Sequence, residues 1–301
     1  MRALIFGCTG QDGSYLAEQL AAGGHEVHGA VRGQRTDRRD WLARLVPAIR
    51  LHEADLLDQS SLDRVVAEVA PDEVYNLAAV SAPALGWSQP LLMAETTALG
   101  ALRVLEAVAR HAPGGVRLVQ AGSLATHGPY GAAKAYAQAL AADYRARGVR
   151  VSTAVFGGHH SPRRGREFFG RKVTLAAARI ALGLQGQLEL GPLDRSQDWG
   201  WAEDFTRTLP MLARDLEPGD YIVSTGEPHT SREWVEQAFA AAGLDWSEHV
   251  KYDPGLAQPT DVPTLTALPD PRLVTAGWTP RRDFAALAGV MVANDLLGEQ
   301  P

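Results

Sequence analysis

Three glycines near the N-terminus constrain the fold of this chain more than any other feature. Residues 7–13 (GCTGQDG) form the pattern GxxGxxG, directly after a short apolar strand pattern at residues 3–7 and directly before a helix pattern at residues 14–22. The first glycine allows a tight turn, the second lets the backbone approach a pyrophosphate, and the third lets the helix pack closely on the strand. Because the free N–H groups of the helix then face an anion, this segment predicts a dinucleotide-binding turn.

Strand-like and helix-like segments alternate through the first half of the chain. Further strands are predicted at residues 26–32, 49–56, 72–79, 117–123 and 150–156. Helices are predicted at residues 61–70, 91–112 and 130–147. This order is typical of a parallel sheet with helices on both faces, in which a ligand lies at the carboxyl ends of the strands.

The pattern changes after residue 156. Residues 157–162 (GGHHSP) predict a loop, and residues 173–184 predict a helix rich in alanine and leucine. A late strand at residues 220–224 precedes a helix that Thr230 and Glu233 begin with the spacing of a capping box. The proline-rich residues 254–271 are expected to be irregular.

These elements predict an α/β fold, a Rossmann-type doubly wound parallel sheet with a smaller C-terminal α/β substrate domain. The dinucleotide-binding domain would comprise residues 1–156 and about 198–228, and the substrate-binding domain about 157–197 and 229–301.

Composition excludes several classes of protein. The 301 residues carry a formal net charge of −6, which disfavours a nucleic-acid partner. Cys8 is the one cysteine, so an internal disulfide is impossible. No segment approaches the roughly 18 apolar residues of a membrane span. We expect a soluble cytoplasmic protein with no membrane partner, and no metal site is predicted.

The end of the second strand bears on the choice of cofactor. Residues 31–35 (VRGQR) place Arg32 where NAD-specific sites carry an acid for the ribose 2′-hydroxyl. A guanidinium offers planar, bidentate donors to a 2′-phosphate, so NADP(H) is favoured over NAD(H). The alternative is an ordinary solvated arginine at a strand end.

A tyrosine and a lysine predict the catalytic centre. Tyr130 and Lys134, in residues 130–134 (YGAAK), are four residues apart and therefore share one helix face. A nearby ammonium stabilises a phenolate, which can act as an acid or base beside a nicotinamide. Ser123, at the end of the fifth strand, is the natural hydroxyl for a substrate carbonyl. The alternatives are a surface Tyr–Lys pair and an ordinary strand-end serine.

With these motifs the chain resembles the extended short-chain dehydrogenases/reductases, and more narrowly the GDP-mannose 4,6-dehydratases. The matching segments are residues 7–18 (GCTGQDGSYLAE), 26–32 (EVHGAVR), 71–79 (PDEVYNLAA), 98–107 (ALGALRVLEA), 130–134, 161–165 (SPRRG), 171–172 and 198–200 (DWG).

The resemblance implies a role for each matching residue. Cofactor phosphates and ribose would be bound by Gly7, Thr9, Gly10, Gln11, Asp12, Gly13 and Arg32. Asp55 and Leu56 would flank the adenine, and the nicotinamide side would be lined by Leu77, Ala78, Ala79 and Ser81. Further cofactor contacts would come from His159, Arg164, Tyr130 and Lys134. The catalytic positions would be Ser123, Tyr130 and Lys134, and Arg171 and Lys172 would lie near the substrate diphosphate.

Two basic clusters also point to anions. Arg163, Arg164, Arg166, Arg171 and Lys172 fall within ten residues, and they suit the pyrophosphate of a nucleotide-diphosphate sugar; the alternative is a solvated charged face. A second run, Arg35, Arg38 and Arg39, is expected to be a solvated loop. In the family this loop can reach a neighbouring subunit, and a homodimer or homotetramer is expected here.

The sequence departs from the family at the catalytic centre. In the family reaction a tyrosine and the cofactor oxidise sugar carbon 4, and a glutamate then takes the proton from carbon 5 as water leaves. Ala125 stands at the position of that glutamate and cannot move a proton. The spacing from Ser123 to Tyr130 is far shorter than in the family, which predicts a more open pocket.

Substrate-side positions differ as well. Gly158 replaces an asparagine, His160 a glutamate, Gln197 and Gln258 arginines, and Leu92 a cofactor-contacting tyrosine. Arg195 could compensate for Gln197 and is a candidate substrate-binding residue.

Three functions remain open at this point. The favoured one is an NADP(H)-dependent epimerase or ketoreductase acting at carbon 4 of a nucleotide-linked sugar. The second is a true 4,6-dehydratase in which His127, His160 or a water replaces the glutamate. The third is a cofactor-binding homologue with little or no catalysis.

Overall fold

The computed structural model describes residues 1–33, 36–112, 115–257 and 264–299. Its strands are β1 (Arg2–Phe6), β2 (Glu26–Val31), β3 (Arg50–Glu53), β4 (Glu73–Asn76), β5 (Arg117–Ser123), β6 (Arg150–Phe156), β7 (His159–His160), β8 (Leu188–Leu190), β9 (Ser196–Asp198), β10 (Gly200–Trp201), β11 (Asp220–Val223), β12 (Pro228–Thr230), β13 (Val250–Tyr252) and β14 (Thr264–Leu265).

The helices are α1 (Gln11–Ala22), α2 (Thr36–Leu45), α3 (Gln59–Val69), α4 (Pro83–Ser88), α5 (Pro90–Met93), α6 (Gly100–His111), α7 (Gly128–Ala146), α8 (Phe169–Ala181), α9 (Ala202–Thr206), α10 (Thr208–Arg214), α11 (Ser231–Ala241), α12 (Trp246–His249), α13 (Pro271–Thr275) and α14 (Phe284–Glu299). A π-helical turn, Ala94–Leu99, joins α5 to α6, and a 3-10 turn, Pro254–Leu256, follows β13. Within the described ranges, no helix has both the length and the apolar character that a membrane span needs.

The chain divides into two units. The first comprises Met1–Phe156, Phe205–Val223 and Asp270–Trp278, and the second Gly157–Asp204, Ser224–Pro269 and Thr279–Pro301.

These boundaries differ from the expected ones in three places, one of which is residues 224–228, which belong to the second unit rather than the first. Residues 198–204 belong to the second unit because β10 pairs in parallel with β7 there. Residues 270–278 return to the first unit, where the Asp270 N–H donates to the Ile222 carbonyl and the buried Trp278 ring packs edge-on against Phe205.

The first unit is built on a seven-stranded parallel sheet in the order β11-β6-β5-β4-β1-β2-β3. The chain moves outward from β1 to β3 and then crosses back to β4 on the other side of β1. The strand order therefore reverses between β1 and β4, and this is where a crevice opens outside the carboxyl ends of the strands. The expected Rossmann-type doubly wound fold is confirmed.

Apolar residues at helical spacing cover both faces of this sheet. Leu16 and Leu20 of α1 and Leu42 of α2 are fully or almost fully buried on one face. Leu62 of α3 and Val104 of α6 are fully buried on the other face. Burial of a side chain of this size stabilises the fold by about 2 kcal/mol, so these stripes hold the helices to the sheet.

The six strands predicted in the first half all form, but two helical segments differ from expectation. The segment around Arg38 and Arg39 is the helix α2 rather than a loop, because Leu42 is drawn into the core and Trp41 and Leu45 pack against it. The long helix expected at residues 91–112 is divided into α5, the π-helical turn and α6.

In the second unit, α8, α11 and α14 pack together beside small sheets in the orders β12-β9-β14, β10-β7 and β13-β8. The expected capping box at the start of α11 is present: Thr230 Oγ1 accepts from the Glu233 N–H, and a Glu233 oxygen accepts from the Thr230 N–H. β7 occupies part of the segment where a loop was expected, and α14 was not predicted.

Candidate active site

The glycine turn after β1 depends on two close approaches. Gly7 has a φ of +81°, and a Cβ there would lie 2.8 Å from the backbone nitrogen of Ala78. A Cβ on Gly13 would lie 2.3 Å from the Gly7 carbonyl oxygen. Only glycines allow α1 to begin this close to the ends of β1 and β4.

The middle glycine of the turn is open instead. Gly10 is exposed, and a Cβ there would meet only the Gly7 carbonyl oxygen, at 3.3 Å. Gln11 and Asp12 open the first turn of α1 and are joined by an Nε2–Oδ1 hydrogen bond of 3.0 Å. Because Gly10 has no side chain, the space beside the first amides of α1 stays open. The turn therefore fits a dinucleotide pyrophosphate. Thr9 is half-buried in the same turn.

The segment after β4 lies beside this turn. The Leu77 N–H donates to the Phe6 carbonyl, and Leu77, Ala78 and Ala79 are all half-buried, whereas Ser81 is exposed. These are the positions predicted to line the nicotinamide side.

A threonine that the sequence reasoning missed holds this segment in place. Thr97, in the π-helical turn, accepts a hydrogen bond from the Val80 N–H at 3.2 Å and is 97% buried. Its hydroxyl is also 3.4 Å from the Val80 carbonyl oxygen, to which it can donate. Thr97 faces this segment because the helix widens to a π turn here, and apolar spacing in the sequence carries no signal for that widening.

The predicted adenine-side residues follow β3. Asp55 Oδ1 accepts from the Leu57 N–H at 3.0 Å, and the Asp55 N–H donates to Ser61 at 3.1 Å. Leu56 contacts the start of α6, where a Cβ on Gly100 would lie 3.0 Å from the Leu56 Cβ. Arg32 is exposed just beyond β2. Gln34 and Arg35 lie outside the described residues.

Tyr130 and Lys134 lie on one face of α7, as predicted. The Lys134 side chain is buried, its Nζ donates to the Ala121 carbonyl at 2.9 Å, and it lies 5.9 Å from the centre of the Tyr130 ring. Burial lowers the pKa of Lys134 to about 8, against the opposing influence of Asp12. The ring of Tyr130 packs against a small apolar cluster that includes Met93.

Ser123 ends β5, and its hydroxyl accepts a hydrogen bond from the Ala125 N–H at 3.1 Å. Four residues then lead into α7. This short connection is possible because Gly128 has a φ of +70° and because Gly131 has no side chain. A Cβ on Gly131 would lie 2.5 Å from the Thr126 carbonyl carbon.

Two histidines were considered as substitutes for the missing glutamate. His127 is exposed at the start of α7, with Nδ1 3.0 Å from the Thr126 hydroxyl. His160, in the second unit, is buried against Trp199 and Trp234, at ring-centroid distances of 4.6 and 5.6 Å. Burial holds the pKa of His160 well below its usual value. Of the two, only His127 is open to solvent.

The remaining residues predicted to contact the cofactor, His159 and Arg164, lie in the second unit. Arg164 donates to the His159 carbonyl at 2.7 Å and places its guanidinium 4.1 Å from the centre of the Phe168 ring. His159 Nδ1 is 2.8 Å from the Gly157 carbonyl oxygen, to which it donates. These contacts hold Arg164 against its own unit.

Members of the basic cluster contact other groups of the second unit. Arg171 is buried and forms an ion pair with the buried Asp295 of α14. Arg166 contacts Glu299 at 3.4 Å, and the exposed Lys172 donates to the Glu189 carbonyl at 3.0 Å. The Arg171 guanidinium is therefore paired with a carboxylate within its own unit, and its role at the substrate diphosphate stays a prediction.

One departure from the family, Gly158, has a local explanation in the second unit. A Cβ on Gly158 would lie 2.2 Å from the Asp198 carbonyl oxygen, so only glycine fits beside this strand. Asp198 is buried, and burial raises its pKa to about 6. Arg195 and Gln197 are half-buried near and within β9. Gln258 lies outside the described residues.

The chain matches known proteins over most of its length. A family model described as the NAD dependent epimerase/dehydratase family matches residues 3–224. The GDP-mannose 4,6 dehydratase 1 of Arabidopsis thaliana is 38% identical, over 98% of this chain and 89% of its own length. The GDP-mannose 4,6-dehydratase of Yersinia enterocolitica is 35% identical, over 98% of this chain and 94% of its own.

Solved structures show the same fold at lower identity. The UDP-glucose 4-epimerase of Thermus thermophilus in complex with NAD has a TM-score of 0.85 at 24% identity, covering 98% of this chain and 99% of its own. DesIV, a dTDP-glucose 4,6-dehydratase of Streptomyces venezuelae with NAD and TYD bound, has a TM-score of 0.85 at 21% identity, and the match covers 98% of this chain and 96% of DesIV.

Proposed function

The chain belongs to the NAD dependent epimerase/dehydratase family, and on that premise we propose that it is an NADP(H)-dependent enzyme of the GDP-mannose 4,6-dehydratase-like group. Its substrate would be a nucleotide-diphosphate sugar, and its reaction would be hydride transfer at sugar carbon 4. Within this chemistry we favour an epimerase or a ketoreductase.

One observation carries the proposal. The buried Lys134 ammonium faces the Tyr130 ring, 5.9 Å from its centre, and both residues belong to α7, the helix that follows β5. The ammonium stabilises a phenolate, so Tyr130 can take a proton from the carbon 4 hydroxyl and return it. Ser123 can hydrogen-bond the same oxygen. A nicotinamide bound beside these residues would supply or accept the hydride.

Ala125 favours epimerisation or ketoreduction over elimination. Both reactions use only a proton on the carbon 4 oxygen and a hydride at carbon 4, so Ser123, Tyr130 and Lys134 suffice for them. Elimination needs a further group to take the carbon 5 proton, and a methyl side chain cannot do so.

Arg32 supports NADP(H) as the cofactor. It is exposed at the end of β2, where a guanidinium can pair with a 2′-phosphate. Arg32→Ala should weaken NADPH binding more than NADH binding in a fluorescence titration. Equal losses for the two cofactors would remove the argument for a 2′-phosphate.

A true 4,6-dehydratase is the second candidate, and two observations favour it. The relatives named GDP-mannose 4,6-dehydratase match nearly the whole chain. His127 is exposed three residues before Tyr130, and its contact with Thr126 through Nδ1 leaves Nε2 for a proton. His127→Gln would then stop water loss, while Tyr130 would still move the proton of the carbon 4 hydroxyl as hydride passes between carbon 4 and the cofactor.

Incubation with a panel of nucleotide sugars, with NADP⁺ and with NADPH, tests the proposal. Mass spectrometry and NMR of the products separate the outcomes. Unchanged mass with altered couplings means epimerisation, a gain of two hydrogens from a keto sugar means reduction, and loss of one water means dehydration. Tight NADPH binding with no conversion of any sugar would overturn the proposal and leave a cofactor-binding homologue.

A further inference from the structure

A carboxylate from the neighbouring strand lies against the end of β2. Glu53 is the last residue of β3 and pairs in parallel register with Val31, the last residue of β2. A Cβ built on Gly33 would fall 2.3 Å from Glu53 Oε1 and 2.9 Å from its Cδ. The carboxyl group therefore covers the backbone directly after Arg32, and it can lie there because Gly33 has no side chain.

The backbone of Glu53 is held while its carboxyl group stays accessible. Arg64 of α3 donates to the Glu53 carbonyl oxygen at 3.1 Å. Both Glu53 and Arg32 are exposed. Two opposite charges thus flank one strand end, at the edge of the sheet where the ribose of a dinucleotide lies in this fold.

These two charges respond differently to the two forms of the ribose. A 2′-phosphate carries a charge of roughly −1.5 to −2, which a guanidinium attracts and a carboxylate repels. A 2′-hydroxyl is neutral and can donate a hydrogen bond to a carboxylate. Glu53 therefore favours the hydroxyl form at the position where Arg32 favours the phosphate form.

We propose that Glu53 is a specificity-determining residue for the cofactor, which opposes Arg32 and lets the chain bind NAD(H) alongside NADP(H). The inference rests on the proposed function, because it requires a dinucleotide in the crevice of the first unit. The group that Glu53 and Arg32 would distinguish on the cofactor is a ribose 2′-hydroxyl or a ribose 2′-phosphate.

The test measures binding rather than turnover. The full-length chain is titrated with NADPH and with NADH, following nicotinamide fluorescence, for wild type, Glu53→Gln and Arg32→Gln. Glu53→Gln should bind NADPH about fivefold more tightly and NADH no more tightly, because it removes repulsion and weakens a hydroxyl acceptor. Arg32→Gln should shift the ratio of the two dissociation constants the other way.

Glu68→Gln is the matched control. Glu68 is an exposed carboxylate in the last turn of α3, where His52 feels its charge, so this variant removes the same charge at a position other than the end of β2 and should leave the ratio unchanged. A Glu53→Gln ratio equal to that of wild type or of Glu68→Gln would overturn the inference and leave the proposed function standing. Failure of wild type to bind either dinucleotide would overturn both.

Discussion

The functional role proposed for Lys134 carries a cost in folding free energy. Its ammonium is buried and donates to the Ala121 carbonyl, and burial lowers its pKa from 10.5 to about 8. At pH 7 the side chain is still charged, so the folded protein keeps a desolvated cation near Tyr130. A buried charge of this kind is stabilising for a phenolate and unfavourable for the fold.

Lys134→Met should therefore abolish turnover without weakening the fold. The unfolding free energy at pH 7 should equal that of wild type or exceed it by up to about 2 kcal/mol. The substitution removes the cost of burying a charge, and this gain is offset in part by the loss of one hydrogen bond. Between pH 8 and pH 10.5 the wild type should gain stability, since the unfolded chain holds a proton that the folded chain has lost. Urea unfolding across this range checks both; a loss above about 1 kcal/mol at pH 7 would contradict the prediction.

Tyr130→Phe should separate catalysis from binding. The ring keeps its packing against the Met93 cluster, while the proton-carrying oxygen is lost. We expect no measurable conversion of the preferred sugar and an NADPH dissociation constant within about threefold of wild type. Full activity in this variant would show that another group moves the proton. Tyr136→Phe, on an exposed tyrosine of the same helix, is the control.

At the scale of the element, α7 depends on its contact with the short connection from β5. The absence of a side chain at Gly131 lets the helix approach Thr126, and this approach carries Tyr130 towards the end of β5. The shortened loop is thus compensated by a close packing of helix on loop within the first unit.

Gly131→Ala should disrupt that packing. The added Cβ would lie 2.5 Å from backbone, which cannot move away as a flexible side chain could, so we expect a loss of about 2 kcal/mol in unfolding free energy and a large fall in kcat. Gly289→Ala in α14 is the matched control, because its Cβ would meet nothing within 4 Å. That variant should be neutral or more stable by up to about 1 kcal/mol. Equal effects of the two substitutions in denaturant titrations would refute the steric explanation.

At the scale of the whole molecule, buried and half-buried histidines make the fold sensitive to acid. Burial is the main cause that lowers the pKa of His25, His28, His52 and His160 below 6.5. Below pH 6.5 these histidines bind protons in the unfolded chain more readily than in the folded chain, so the unfolding free energy falls as the pH decreases. Asp198 acts the other way between pH 6 and 3.8, because its raised pKa lets the folded state take up a proton first.

The unfolding free energy should therefore decrease from pH 7 to pH 5, with four histidines outweighing one carboxylate. His160→Phe keeps an aromatic ring beside Trp199 and should flatten the decrease by up to about 1 kcal/mol per pH unit. Denaturant unfolding at several pH values checks this, and identical slopes for wild type and His160→Phe would contradict it.

Local patterns made much of the fold and the proposed catalytic centre predictable. The glycine turn, the six strands and the Tyr130–Lys134 pair each depend on residues close together in the chain, so their spacing carries the information. The π-helical turn was not predictable in this way, because it breaks the helical period on which such patterns rest. The end of α8 was also misjudged: α8 is Phe169–Ala181 rather than 173–184, since glycine and leucine beyond residue 181 extend the apolar pattern without extending the helix.

The sequence by itself determined the class of the fold, the turn that fits a dinucleotide and the pair that fits a phenolate base, because short-range spacing sets each of them. Only the tertiary structure decided which charges are available. Arg171 forms an ion pair with Asp295, which lies 124 positions further along the chain. Glu53, in contrast, is brought beside the end of β2 and Arg32 by the pairing of β2 with β3. The interactions of a charged group depend on the side chains within a few ångströms of it. Packing between segments that are remote in sequence sets the distances to those side chains.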